Sequence, residues 1–262
     1  METMPAVFVG HGTPMNAIDD NRFAAQWREL GRRLPKPRAV LCVSAHWETW
    51  GCCVTSMENP RTIHDFGGFP RALYQVRYPA PGSPWLAEEV RRIAGGGRIE
   101  ADADWGLDHG CWVVLSRMYP EARVPVVQLS LDASLPARAH FQLARELAPL
   151  RDEGILVVGS GNIVHNLRLV SLPESGDFNA PFGFPWAREA NDLLKGLIEE
   201  DDSGALADYP SLGDAVALAV PTPEHYLPML YVAAVRRKGE MPAWFNDEAV
   251  GGSLTMTSFV LG

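Results

Sequence analysis

The chain has 262 residues, of which 47% are hydrophobic and 21% charged, a balance that excludes disordered, collagen-like and coiled-coil classes and allows a full core. At about 150 residues per domain this length makes one or two units, and a single domain over residues 1–262 is the expectation. Twenty-three basic residues against 32 acidic ones give a net charge of −9, which argues against nucleic acid or an anionic membrane surface as a partner.

From the N-terminus, residues 6–9 form a short apolar run cut by Gly10 and His11, so the segment reads as a strand and not as a secretion signal. Further runs rich in Val, Ile and Leu at 39–45, 52–57, 124–131, 155–159 and 254–260 read as strands. Helical periodicity fills the intervals. Residues 20–34 place Phe23, Trp27, Leu30 and Leu34 on one stripe. Ser83 and Pro84 open a helix that Gly95, Gly96 and Gly97 end. Two more helices are expected at 136–150 and 186–200, and a last one at 222–237, with Thr222 as cap and Pro223 in its first turn. The segment 171–185, punctuated by Pro173, Pro181 and Pro185, reads as a loop beside any site. Alternation of strands and helices predicts an α/β fold: a central, mostly parallel or mixed sheet with helices on both faces.

None of Cys42, Cys52, Cys53 and Cys111 has metal or redox spacing, and reduced core thiols are the expectation. No apolar stretch reaches the roughly 18 residues of a membrane span, so a cytoplasmic protein is expected.

The informative feature is where the histidines fall. His11 follows AVFVG, His46 follows AVLCVSA, and His165 lies a few residues beyond ILVVGSG. In open α/β sheets the loops leaving strand carboxyl ends converge on one crevice. Three imidazoles distant in sequence would therefore meet there, joined by His225 from the first turn of the last helix, where the dipole disfavours imidazolium. Neutral imidazoles gathered in a cleft suit Zn(II), Fe(II) or a similar ion; satisfied hydrogen-bonding histidines near the surface are the alternative. His109, in WGLDHGCW beside Asp108, is either an acid/base or substrate-binding group or a residue capping the helix that follows. His64, in TIHDFGGFP with Asp65, Phe66 and Phe69, belongs to a loop that lays aromatic rings on a flat substrate or anchors itself in the core. His140 has no converging partner and is assigned no function.

Three motifs lead elsewhere and fail. GSGNIV, residues 159–164, puts Val164 where a dinucleotide-binding turn needs a small residue, GHGTP lacks the ending of a phosphate loop, and Ser160 lies in GSG, outside a nucleophile elbow.

Taken together, GHGTPMN, VSAHW, TIHDFGGFP, YPAPGSP, WGLDHGCW, VPVVQLSLD, GSGNIVHNL and TPEHYLPMLY resemble the class III extradiol ring-cleaving dioxygenases, in particular their 4,5-DOPA dioxygenase branch. The resemblance runs from residue 5 to residue 262. It implies that His11, His46 and His225 ligate a metal, Fe(II) for ring cleavage, with Zn(II) able to occupy the site. It implies that His165 is an acid/base group that can also close on zinc, and that His109 lies near the substrate oxygens. The implied reaction opens a catechol, DOPA or a relative, with O2 to a semialdehyde, in a monomer or homodimer. Protocatechuate-type relatives carry a glutamate as third ligand. Here Glu224 precedes His225, and helical neighbours point about 100° apart, so one of the two faces the site.

Two other classes compete. A zinc hydrolase on the same scaffold would work with Zn(II) and be indifferent to O2, and a non-catalytic binding protein would hold no metal. Arg61, Arg77 and the 171–185 loop are candidates to meet a substrate carboxylate.

Overall fold

The computed structural model describes residues 3–262. Ten strands are seen among them: β1 (Ala6–Gly10), β2 (Ala39–Thr49), β3 (Cys52–Thr55), β4 (Ile99–Asp102), β5 (Val126–Asp132), β6 (Ile155–Gly161), β7 (Ala243–Phe245), β8 (Ala249–Val250), β9 (Leu254–Thr255) and β10 (Ser258–Leu261). The helices are α1 (Arg22–Arg33), α2 (Arg71–Tyr74), α3 (Pro84–Ile93), α4 (His109–Met118), α5 (Ala137–Glu146), α6 (Pro185–Glu199), α7 (Ser203–Ala207), α8 (Asp214–Ala219) and α9 (Leu227–Ala234).

Eight strands form one sheet in the order β4-β3-β5-β2-β6-β1-β10-β7, and β8 pairs with β9 separately. The centre, β5-β2-β6-β1, is parallel, while β3 runs antiparallel to β5 and β10 antiparallel to β1, so the sheet is mixed. Successive residues of a strand point to opposite faces. Ala6, Phe8, Leu41, Val43, Ile155 and Val157 accordingly join one apolar cluster with α3, α5, α6 and α9. Val7, Val9, Val40, Cys42, Leu156 and Val158 join another with α1 and α4. Both faces of the central strands are thus covered, which is why they read as unbroken apolar runs.

The α/β expectation holds, with local differences. β2 continues through His46 to Thr49. The expected strand at 254–260 is two short strands, β9 and β10. The last helix begins at Leu227, and residues before it, His225 included, lie in a turn where the amides of Tyr226 and Leu227 both reach the Pro223 carbonyl. Pro228 explains this, because it has no N–H to offer the Glu224 carbonyl that an earlier helix start would require. Pro149 likewise ends α5 early, in a 3-10 segment. All four cysteines are free: Cys42, Cys52 and Cys111 are buried and Cys53 is half-buried. No helix among the described residues is long and apolar enough to cross a membrane.

Candidate metal centre and catalytic cleft

The central strands carry the site at their carboxyl ends. His11 follows β1, and its amide donates to the Gly161 carbonyl at 3.0 Å, locking the end of β1 to the end of β6. His46 sits where the β2–β5 register slips. Between the pairs Val43–Leu129 and Glu48–Leu131, β2 advances five residues (48 − 43) while β5 advances two (131 − 129). Such an irregularity re-aims side chains, and here it turns His46 toward the cleft. His225 is held because β6 ends in glycine: the His225 carbonyl accepts from the Asn162 amide at 2.8 Å and lies against the Gly161 Cα. The amide of His165 donates to the Ala219 carbonyl, and its backbone bridges Leu254. His109 is the first residue of α4, whose N-terminus is capped by the Asp108 carboxylate.

All five imidazoles line one cavity of about 600 Å3. The Nε2 atoms of His11 and His46 are 3.2 Å apart. Ring centroids of His11, His46 and His225 are separated by 5.0 Å, 5.3 Å and 5.0 Å, a nearly equilateral set. A metal–nitrogen bond of 2.0–2.1 Å puts centroids of rings sharing one ion about 4.5 to 5.2 Å apart for angles between square and tetrahedral. His11–His46 and His46–His225 fall inside that range, and His11–His225, at 5.3 Å, lies just above it. His109 lies closer to His46, at 3.8 Å between centroids, and His165 is stacked on His225 at 3.5 Å and 8°. Stacked rings direct their lone pairs along parallel lines and not to one point. Judged atom by atom, the potential donors fall into two triads, His11, His46 and His109, and His165, Glu224 and His225, each within 4.8 Å.

Hydrogen bonds fix how several of these rings face the cleft. Ser160 Oγ donates to the Gly110 carbonyl at 2.6 Å, so toward His11 Nδ1, 3.0 Å away, it acts as an acceptor. That sets His11 as the Nδ1–H tautomer with a bare Nε2, an arrangement typical of metal-binding histidines. Glu224 Oε1 lies 3.2 Å from His225 Nδ1 and does the same for that ring. Asp65 accepts from both the backbone amide of His109 at 2.9 Å and its Nδ1 at 2.8 Å. Burial, reinforced by neighbouring imidazoles, holds His11 and His225 well below the usual histidine range. Burial likewise lowers His46 to about 3 and His165 to about 4. These four rings are therefore neutral at pH 7, and a set of nitrogen donors this close together fits a divalent cation of borderline softness.

Around the imidazoles the walls are apolar: Met15, Phe66, Phe69, Phe178 and Leu254. The 171–185 loop contributes Phe178 with Gly176, Asp177 and Asn179, as its position in the sequence suggested. Other candidates fall outside. His64 Nε2 bonds the Val76 carbonyl, and the ring packs on Phe66, Tyr74 and Trp112 as a loop anchor. Arg61 is spent on the Trp105 carbonyl and Arg77 on the carbonyls of Tyr74 and Val76, so neither lines the cavity. His140 is a buried structural residue bonded to Tyr231 and the Asp132 carbonyl. Sequence reasoning missed Ser160 and Asp65 as orienting groups: the first was weighed as a nucleophile, and nothing local ties Asp65 to a histidine 44 residues away.

A mixed α/β sheet with a cluster of neutral imidazoles at the carboxyl ends of its parallel strands defines a metallo-enzyme type of cleft. Comparison with known proteins makes this specific. Residues 5–220 match the family model described as the catalytic LigB subunit of aromatic ring-opening dioxygenase, and the chain belongs to that family, as an extradiol dioxygenase. It is 48% identical to the 4,5-DOPA dioxygenase extradiol of Escherichia coli (strain K12), over 99% of this chain and 95% of that protein. It is 38% identical to the 4,5-DOPA dioxygenase extradiol of Beta vulgaris, over 96% and 94%. The crystal structure of an uncharacterized protein from Escherichia coli K12 superposes with a TM-score of 0.84 at 42% identity, covering 99% of this chain and all of that one. Family membership sets aside the hydrolase and the non-catalytic reading.

Proposed function

We propose that the protein opens the ring of a catechol, DOPA or a related compound, with O2 to give a semialdehyde, using Fe(II) held by His11, His46 and His225. The reading is supported by one observation: those three rings, neutral through burial and contributed by separate elements, face one cavity with centroids 5.0–5.3 Å apart, close to the spacing of rings that share an ion. When bound, the ion supplies a place where both catechol oxygens and O2 are held together and electrons pass between them. Zn(II) would occupy the same donors without supporting the redox step.

The remaining chemistry belongs to side chains. His165, neutral at pH 7 because burial lowers it to about 4, accepts a catechol hydroxyl proton and returns it later. Its stacking on His225 keeps it beside the ligand set without pointing at the same spot. Asp65 takes the Nδ1–H of His109, leaving Nε2 as an acceptor for a substrate hydroxyl. Phe66, Phe69 and Phe178 pack the aromatic ring and exclude water.

The test is anaerobic reconstitution with Fe(II), then oxygen-electrode assays with catechols. Oxygen uptake with a yellow ring-opened product is expected. His165→Ala should keep its iron and lose about 10² to 10⁴ of turnover, whereas His11→Ala should lose the iron. Full turnover in His165→Ala, or full iron content in His11→Ala, would refute these roles.

A further inference from the structure

Next to the imidazoles, but outside the cavity lining, a set of polar side chains is sealed from solvent: Ser44, Asp108 and Gln128 are each fully buried. Gln128 stands level with Cys42 in the β2–β5 register, and Cys42 belongs to the apolar cluster that α1 and α4 cover. Packing alone would put an aliphatic side chain there. Instead Gln128 and Asp108 satisfy each other twice. The Asp108 amide donates to Gln128 Oε1 at 3.0 Å, and Gln128 Nε2 donates to Asp108 Oδ2. Asp108 Oδ1 accepts from the Ser44 hydroxyl at 2.7 Å and, as the cap of α4, from the Cys111 amide at 3.0 Å. A buried carboxylate and a buried amide cost stability unless their bonds are made, and a fully bonded set admits one arrangement of the elements it joins.

The element fixed in this way is the first turn of α4, and three of the five imidazoles depend on it. His109 is its first residue. Ser44 Oγ, held by Asp108, accepts the His46 amide at 3.3 Å. The Gly110 carbonyl receives Ser160 Oγ, on which His11 Nδ1 rests. The turn also packs directly on the site: a Cβ added at Gly110 would lie 2.4 Å from Ser44 Oγ and 2.9 Å from Cδ2 of the His46 ring. A shift of α4 along the sheet therefore reaches His11, His46 and His109 together. We propose that Asp108 and Gln128 are positioning residues, whose reciprocal pair sets the first turn of α4 on the sheet and, through Ser44 and Gly110, the placement of these three rings. The inference rests on the metal-dependent reading above and concerns how the chain holds its donors in place.

The pair is tested by exchanging its partners. Asp108→Asn keeps a good helix cap but sets its Nδ2 against Gln128 Nε2, donor to donor, and turning the Gln128 amide over only moves the conflict to the backbone N–H of residue 108. Gln128→Glu alone sets carboxylate against carboxylate. The double variant, Asp108→Asn with Gln128→Glu, remakes both bonds with donor and acceptor exchanged. Co(II) serves as the probe: chelator competition gives its affinity, and its absorption bands report ligand geometry. Oxygen uptake by the Fe(II) enzyme and urea unfolding complete the set. Each single variant should shift the Co(II) bands and lose about 10- to 100-fold in turnover, and the double variant should recover the bands and come within about threefold of native turnover. Single variants that lose stability but keep native bands and kcat overturn the proposal, as does a double variant that regains stability without them. Ser44→Ala leaves the Asp108–Gln128 pair intact and cuts the link to His46, so turnover should fall about tenfold. It decides the matter if the single variants fail to fold, native bands and turnover in Ser44→Ala then overturning the proposal. Wild-type protein that binds no Co(II) and consumes no oxygen overturns the metal reading itself, and this inference with it.

Discussion

The position that most economically tests how the cleft is assembled carries no functional group. A Cβ added at Gly161 would lie 2.2 Å from the His225 carbonyl oxygen and 3.1 Å from its carbon, against the 3.0 Å below which real Cβ contacts essentially never occur. The shortfall is 0.8 Å (3.0 − 2.2). Gly161 itself cannot retreat: it pairs with Gly10 in the β1–β6 ladder, and its carbonyl receives the His11 amide. The displacement must therefore fall on the turn bearing His225, whose carbonyl is also tied to the Asn162 amide. Gly161→Ala should move one ring of the trio by most of an ångström. Misplacement on that scale is worth about 10² in turnover, and overpacking of a filled core costs about 1–3 kcal/mol of stability. Gly196→Ala in α6, where nothing lies within 4 Å of the added methyl, is the control and should be neutral or stabilising by up to ~1 kcal/mol. Metal affinity by competition with a chromophoric chelator, oxygen uptake and urea unfolding read the three effects. A Gly161→Ala enzyme with native metal affinity and turnover would show that His225 owes its place to something other than this contact.

Ser160→Ala removes the acceptor for His11 Nδ1 and the donor to the Gly110 carbonyl, so metal affinity should drop about 10- to 100-fold with every imidazole present; chelator competition decides it. Asp65→Asn gives up part of the grip on His109, and turnover should fall about 10- to 100-fold while metal affinity stays near native, which parallel oxygen uptake and metal titration will check. Acid sensitivity follows from the depressed histidines. In the unfolded chain they titrate near 6.5, in the fold near 3 for His46 and near 4 for His165, so below 6.5 the unfolded state binds more protons. Stability of the metal-free protein should be fully present above that value and lost as pH falls through 6.5 toward 4; urea midpoints that do not decline over this window would contradict neutral burial of the cluster.

What could be read from sequence is what local pattern encodes. The central strands announce themselves because both faces are buried, and α3 because Ser83, Pro84 and the glycine run supply its ends. β4 escaped because its pattern, one buried residue followed by exposed Glu100 and Ala101, carries no strand alternation. β7 escaped as a three-residue edge. The start of α9 was misplaced because Thr222 and Pro223 imitate a helix opening, whereas Pro228 removes the bond that would complete it. Convergence of His11, His46 and His165 was legible from one rule about strand ends. The partners that orient rings were not: Ser160 meets His11 across the β1–β6 junction, and Asp65 meets His109 because its loop is held against the start of α4 by the Ile63–Leu107 and Leu107–Arg61 backbone bonds and by the Trp112 indole on the Ile63 carbonyl. Side chains of this kind are selected by three-dimensional neighbours, and no periodicity marks them.

The electrostatic state of the cleft explains why so many imidazoles can be placed together. A histidine with an unperturbed pKa near 6.5 is partly protonated at neutral pH, and a metal must then compete with protons for the same lone pairs. Here burial and the proximity of other rings suppress protonation of His11, His46 and His225 before any cation arrives. The penalty appears in the folded protein's acid sensitivity, and the return is a donor set whose lone pairs stay free well below pH 7. That return matters most for a weakly held ion such as Fe(II), which stands low in the affinity order of first-row divalent metals and cannot displace protons as Zn(II) or Cu(II) can. On the proposed Fe(II) reading, crowding the rings is thus what would let an all-nitrogen site hold a labile metal.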